Sequence, residues 1–169
     1  MFHLSNFIGE ELILFQPSFR KREYEFKSGD ELLAKMYFPK FFSTSAVVEV
    51  FEERFEIIRP SIWKKEIAIK KLGYDLTFAS ASTNFFRTKG KIDLQSGFII
   101  NLKLGKFNKS CQVLDESNEL LILFRNKISF KDKNIVTIEK KSEVIDKNPW
   151  IVMMVWYLIL QSRRNSAAR

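Results

Sequence analysis

Three cations stand at alternate positions of one short stretch: Arg87, Lys89 and Lys91, separated by Thr88 and Gly90 and flanked by Phe86 and Ile92. On a strand, residues two apart share a face, so the three charges line one side while Phe86 and Ile92 take the other. Cations at that spacing suit an anion with several oxygens, a phosphate above all, and Gly90 beside them leaves room for a phosphate to approach the backbone. Lys103, Lys106 and Lys109 are spaced to extend the patch. The same alternation also describes a solvated face that Lys and Arg keep in water, so site and surface stand as two readings of these residues. Lys64, Lys65, Lys70 and Lys71 are interleaved with Glu66 and read as ordinary surface.

Other residue types that could do chemistry lack partners. Ser80 and Ser82 have no histidine to activate them except His3, which sits near an end expected to be mobile, and neither a G-x-S-x-G elbow nor a P-loop occurs. Glu49, Glu52, Glu53 and Glu56 are close enough in sequence for an acid/base pair, but their alternation with Val48, Val50, Phe51 and Phe55 reads as an exposed strand edge. Cys111, the one cysteine, excludes an intrachain disulfide and a thiolate zinc cage, and between Ser110 and Gln112 on a strand it reads as a buried, inert thiol. Phe41 and Phe42 after Lys40 have the types that stack on bases, yet among 17 Phe most must be packing. No catalytic residue, metal site or cofactor is expected.

The elements that must position these residues follow from length and period. The chain has 169 residues with 46% hydrophobic and 28% charged side chains, which suits one soluble domain with a substantial core, 1–169. A formal charge of +8 favours anionic partners. From about residue 10 to 141 the dominant period is two. Phe98, Ile100, Leu102 and Leu104 alternate with Ile99, Asn101 and Lys103; Tyr74, Leu76 and Phe78 alternate with Asp75, Thr77 and Ala79; Trp63, Lys65, Ile67 and Ile69 alternate with Lys64, Glu66 and Ala68. Short runs of the same kind fill the intervals from Leu12 to Ile138, including 127–130. Turn residues such as Ser28, Gly29 and Asp30, or Ser96 and Gly97, divide them at roughly 10–12 residues, the spacing of an all-β barrel or sandwich.

The pattern stops at Asn148 and Pro149. Trp150 to Leu160 is unbroken apolar sequence with Asn148 and Pro149 placed as N-cap and first helical residue, and Arg163 and Arg164 where cations favour a helix dipole. The spacing predicts a helix over about 148–162 and a polar tail over 163–169. At 1.5 Å per residue its uncharged span is about 22 Å, short of the roughly 30 Å hydrocarbon core, so a membrane anchor is the weaker reading. A helix apolar on all sides must be surrounded by protein. About a dozen strands closed into one barrel leave a lumen wider than their own side chains fill, since roughly eight strands is the self-filling size. The expected fold is therefore mainly β: a closed antiparallel barrel of about 12 strands with the C-terminal helix threaded through its centre.

About twelve short strands followed by one wholly apolar C-terminal helix, carried by Asn148, Pro149 and the run Trp150 to Leu160, resembles the tubby-like β-barrel superfamily: the tubby C-terminal domain, the phospholipid scramblases and the plant LURP-one-related proteins. The resemblance covers nearly the whole chain. It implies a helix inside the barrel and association with phospholipid or membrane through basic residues on the barrel surface. The tubby inositide site also uses alternating basic residues on a strand, and Arg87, Lys89 and Lys91 are the positions here that look like it. No acidic calcium-binding segment, palmitoylation cysteine cluster or tubby C-terminal signature is present, so scrambling and transcriptional roles are not carried over. The expectation is a non-catalytic intracellular module that binds anionic phospholipid headgroups or a membrane surface through Arg87, Lys89, Lys91 and Lys103. The alternative is a protein-interaction or structural scaffold of the same fold. Nucleic acid is not an expected partner. The N-terminus lacks a basic stretch followed by a sustained apolar run, so residence in the cytoplasm, peripheral to membranes, is expected.

Overall fold

The computed structural model describes residues 2–40, 42–60, 66–83, 88–105, 109–127 and 133–167. Twelve strands follow one another: β1 Leu12–Phe15, β2 Glu23–Ser28, β3 Glu31–Tyr37, β4 Ala46–Val50, β5 Glu53–Ile58 and β6 Glu66–Lys71, then β7 Thr77–Thr83, β8 Lys89–Leu94, β9 Ile99–Leu104, β10 Ser110–Leu114, β11 Leu120–Asn126 and β12 Lys133–Ile138. Each pairs antiparallel with its neighbour in sequence, and β1 pairs with β12, from Leu12 opposite Val136 to Phe15 opposite Lys133. The result is a closed up-and-down barrel without a free edge. Because the strands alternate in direction, odd-numbered strands finish at one rim, called here the upper rim, and even-numbered strands at the lower rim.

Alternation sets the core. Leu12 and Leu14, Tyr24 and Phe26, Phe55 and Ile57, and Ile92 and Leu94 are buried while their neighbours face outward. The period-two reading is displaced in two places. Tyr74 and Leu76 precede β7 and are exposed in the turn after β6, because Gly73 at φ +84° bends the chain there. Phe98 likewise lies outside β9 and is exposed, in the turn containing Gly97. Of the run expected at 127–130, residues 128–130 lie outside the described residues.

The C-terminal segment holds two helices, α1 Glu143–Lys147 and α2 Ile151–Ala167. The separate α1 was not expected. Ser142 caps it, its hydroxyl accepting from the Ile145 N–H. Asn148 ends α1 and is not the N-cap of α2, while α2 begins two residues later than expected and continues past 162, so the supposed polar tail is helical to 167. Every residue from Trp150 to Leu160 is buried, hence every face of that stretch. Trp150 meets Phe78 of β7 edge-on, Trp156 meets Tyr24 of β2, and Tyr157 stacks on Phe38 after β3. The Tyr157 hydroxyl donates to the Thr44 carbonyl between β3 and β4, so α2 climbs from the lower rim to the upper. The N-terminal end is not loose as expected: after His3, a 3-10 turn at Leu4–Phe7 docks on α1, where the Ser5 N–H and hydroxyl donate to the Asp146 carboxylate at 2.8 and 2.7 Å.

Candidate anion-binding face

Strand register decides which of the sequence-predicted cations meet. β8 pairs with β9 so that Lys89 lies opposite Lys103 and Lys91 opposite Asn101. The Leu104 N–H donates to the Thr88 carbonyl at 2.9 Å, which makes 88:104 a hydrogen-bonded pair and 89:103 the narrow pair beside it. In such pairs the Cα atoms are about 4.5 Å apart, so the two ammonium groups reach one ligand easily. Lys103 in turn lies opposite Gln112 of β10, and Lys91 opposite Ser82 of β7. Lys89, Lys91 and Lys103 are exposed, and among the described residues none of the three has an ion-pair partner.

Lys89 and Lys103 flank an open surface groove of about 310 Å³, lined also by Thr88, Leu104, Gly105, Ser110 and Gln112. Gly105 donates its N–H to the Ser110 carbonyl at 2.8 Å, and a Cβ at Gly105 would overlap the Ser110 hydroxyl, so glycine lets that hydroxyl sit against the groove wall. Two ammonium groups with hydroxyl and amide groups around them form a donor set for a phosphate-like anion.

Several sequence expectations change here. Gly90 alternates with the lysines and lies opposite Leu102, so its missing side chain is on the inner face and gives an outer ligand no extra room. Arg87 and Lys106 lie outside the described residues, as do Lys64 and Lys65. Lys70 and Lys71 are paired with Glu56 and Glu53, both at 3.6 Å. Glu49 pairs with Arg54 at 3.4 Å. These carboxylates lie on a closed barrel wall, not a strand edge, and their neighbours are cations instead of one another, so no acid/base pair forms. A larger cleft of about 790 Å³ at the lower rim, between Phe2, Leu32 and Phe51, contains this Glu49–Arg54 pair and so offers an anion little uncompensated positive charge. Cys111 is buried as expected, and burial pushes its thiol up to about 12. Among the described residues no group of three His, Cys, Asp or Glu could hold a metal ion, and no helix is long and apolar enough to cross a membrane.

Sequence reasoning missed a second set of cations at the upper rim. The Arg22 and Arg164 guanidinium groups both stand over the Phe38 ring, at 3.8 and 5.9 Å, and Arg163 stands over Trp156 at 5.3 Å. Burial, and then the charge of Arg164, hold the Arg22 pKa below its ordinary value. The Tyr157 phenol is pushed up by burial, and nearby Arg59, Arg164 and Arg22 oppose that shift. Arg22 and Arg164 are 142 positions apart, and no local pattern signals their meeting.

No protein-family model matches the chain, and no curated protein matches it by sequence. Among solved structures it is similar to the X-ray structure of a protein from Arabidopsis thaliana, AT5G01750, with a TM-score of 0.65 at 14% identity over 92% of this chain and 93% of that one. The two share a fold from end to end.

Proposed function

We propose that the chain is a non-catalytic module that binds anionic phospholipid headgroups at an intracellular membrane surface, with Lys89 and Lys103 as the principal contacts and Lys91 at the edge. The observation that carries this reading is the 89:103 register, which puts two unneutralised cations on either side of one polar groove. Arg87, one alternate position before Lys89 in the sequence, is proposed as a further contact. Net charge of +8 supports the same class of partner.

The reading includes a barrel of the tubby-like kind with α2 running through it. Supporting this, α2 is buried on every face from 150 to 160, and its rings touch β2 and β7, which are five strands apart one way round the ring and seven the other. A helix packed on the outside would touch one wall and leave a stripe in water.

Co-sedimentation with phosphatidylcholine vesicles, with and without phosphoinositide, tests the site, alongside titration with soluble inositol trisphosphate. Lys89→Glu with Lys103→Glu should remove most binding to both probes and leave the unfolding midpoint nearly unchanged, because exposed charges contribute little to stability. Lys64→Glu with Lys65→Glu should leave inositol trisphosphate binding far less affected. Equal loss of inositol trisphosphate binding from both pairs would mean that net charge alone attracts the anion, and no binding of either probe by the unsubstituted chain would leave the protein-interaction scaffold as the better reading.

A further inference from the structure

The barrel is electrically polarised along its axis. At the upper rim the connections carry Arg20, Lys21 and Arg22 after β1, Lys40 after β3 and Arg59 after β5. Lys109 before β10, Lys127 after β11 and the Arg163–Arg164 pair of α2 add to them, and the described residues of these segments contain no Asp or Glu. The five hairpin turns of the lower rim carry Asp30, Glu52, Asp75, Asp115, Glu116 and Glu119 and no Lys or Arg, and the segment after β12 at the same rim sets Lys140, Lys141 and Lys147 against Glu139, Glu143 and Asp146, so it adds no net charge. Two phenylalanines also project at the basic rim, Phe19 at 77% exposure and Phe42 at 91%, in the two connections that hold Arg20, Lys21 and Lys40.

We infer that the barrel docks end-on, upper rim first, on a bilayer that contains anionic lipid, with Phe19 and Phe42 entering the interface. This rests on the headgroup reading above and adds an orientation to it. The cations form a ring distributed over separate connections, not a shaped pocket. A fluid anionic surface suits such a ring, since each lipid can move to the cation it neutralises, and exposed aromatic rings beside cations suit the boundary between headgroup and acyl chain. The lower rim exposes more apolar side chains, Phe2, Leu32, Leu72, Tyr74, Leu76 and Phe98, so charge and not apolar area chooses between the rims: the lower rim's carboxylates repel an anionic leaflet. The Lys89–Lys103 groove opens beside the upper rim, where β8 begins and β9 ends, within reach of a headgroup from the same surface.

The test places one label at each rim of the full chain. Phe19→Cys and Ser96→Cys are each coupled to an environment-sensitive fluorophore, with the unsubstituted chain, whose single thiol is buried, as the unlabelled control. With vesicles of phosphatidylcholine and phosphatidylserine, the label at 19 should shift to the blue and the label at 96 should not. Lys21→Ala and Lys40→Ala should each lower the vesicle partition coefficient by about fivefold without changing inositol trisphosphate binding. Vesicle binding with a blue shift at 96, or at neither position, overturns the orientation and leaves the headgroup reading standing. Inositol trisphosphate binding without vesicle binding overturns membrane docking alone, and absence of both overturns both. A shift at 19 that needs no vesicles, grows with protein concentration and accompanies oligomers in low-salt sedimentation would mean that the basic rim meets the acidic rim of a second copy, which also overturns it.

Discussion

Cys111 lies on the inner side of β10, opposite Leu104 and Phe124 on the flanking strands, and burial raises its thiol from 9.0 to about 12. The unfolded chain therefore loses this proton near pH 9 while the folded chain keeps it. Stability is fully present below pH 9 and should fall as pH rises from there towards 12, by about 1.4 kcal/mol per unit. Urea unfolding at pH 8, 9 and 10 (roughly, one step either side of the ordinary thiol value) should show this slope, and Cys111→Ala, though less stable at pH 8, should have a shallower one. Tyr157 contributes in the same alkaline direction, since burial raises its pKa as well. Its hydroxyl ties α2 to the Thr44 carbonyl, so Tyr157→Phe should cost about 1 kcal/mol. An unchanged unfolding midpoint would show that the bond is not maintained in solution.

At the scale of elements, the turn joining β4 to β5 holds two non-glycine residues at positive φ, Phe51 at 45° and Glu52 at 75°. Tight two-residue hairpin loops demand that conformation, and Asn-Gly meets it with little strain. Phe51 is retained by packing: it rests against the core and stacks on Phe2 with ring centroids 5.6 Å apart. Glu52 is exposed and has no such role, so Glu52→Gly should stabilise by about 1 kcal/mol, a rise of roughly 2–4 °C in Tm for a chain of this size. A lower Tm would show that the turn relaxes without strain. In α2, Trp156→Ala should cost about 3–5 kcal/mol because the indole is fully buried against Tyr24. A loss below about 1 kcal/mol on calorimetry would mean that α2 is peripheral, since exposed substitutions fall in that range.

At the scale of the whole molecule, the proposed arrangement makes closure and filling depend on each other. Twelve strands enclose more volume than their inward side chains fill, and an all-apolar helix needs protein on every side. Removing residues 148–169 should therefore leave no cooperatively folded monomer. A truncated chain that stays soluble, monomeric and β-rich by circular dichroism would place α2 outside the barrel. Axial polarity is also a property of this scale, since it comes from an up-and-down order that sends alternate connections to opposite rims.

Strand number and the apolar C-terminal helix were legible in the sequence because both are local. Period-two burial marks each strand wherever one face is inward, and Trp150 to Leu160 leaves no polar side for water. Turn chemistry was less legible: Tyr74, Leu76 and Phe98 fit an alternation that Gly73 and Gly97 interrupt, and period alone does not say where a strand stops. Lys89 and Lys91 were found by spacing, whereas the closeness of Lys89 to Lys103 depended on inter-strand register, which a one-residue slip would have destroyed. The gathering of Arg22, Arg59, Arg163 and Arg164 around Phe38, Trp156 and Tyr157 had no local sign at all. Those residues meet because an early connection, a middle strand end and the last helix finish at the same rim, and only the closed tertiary structure brings such distant parts of the chain together.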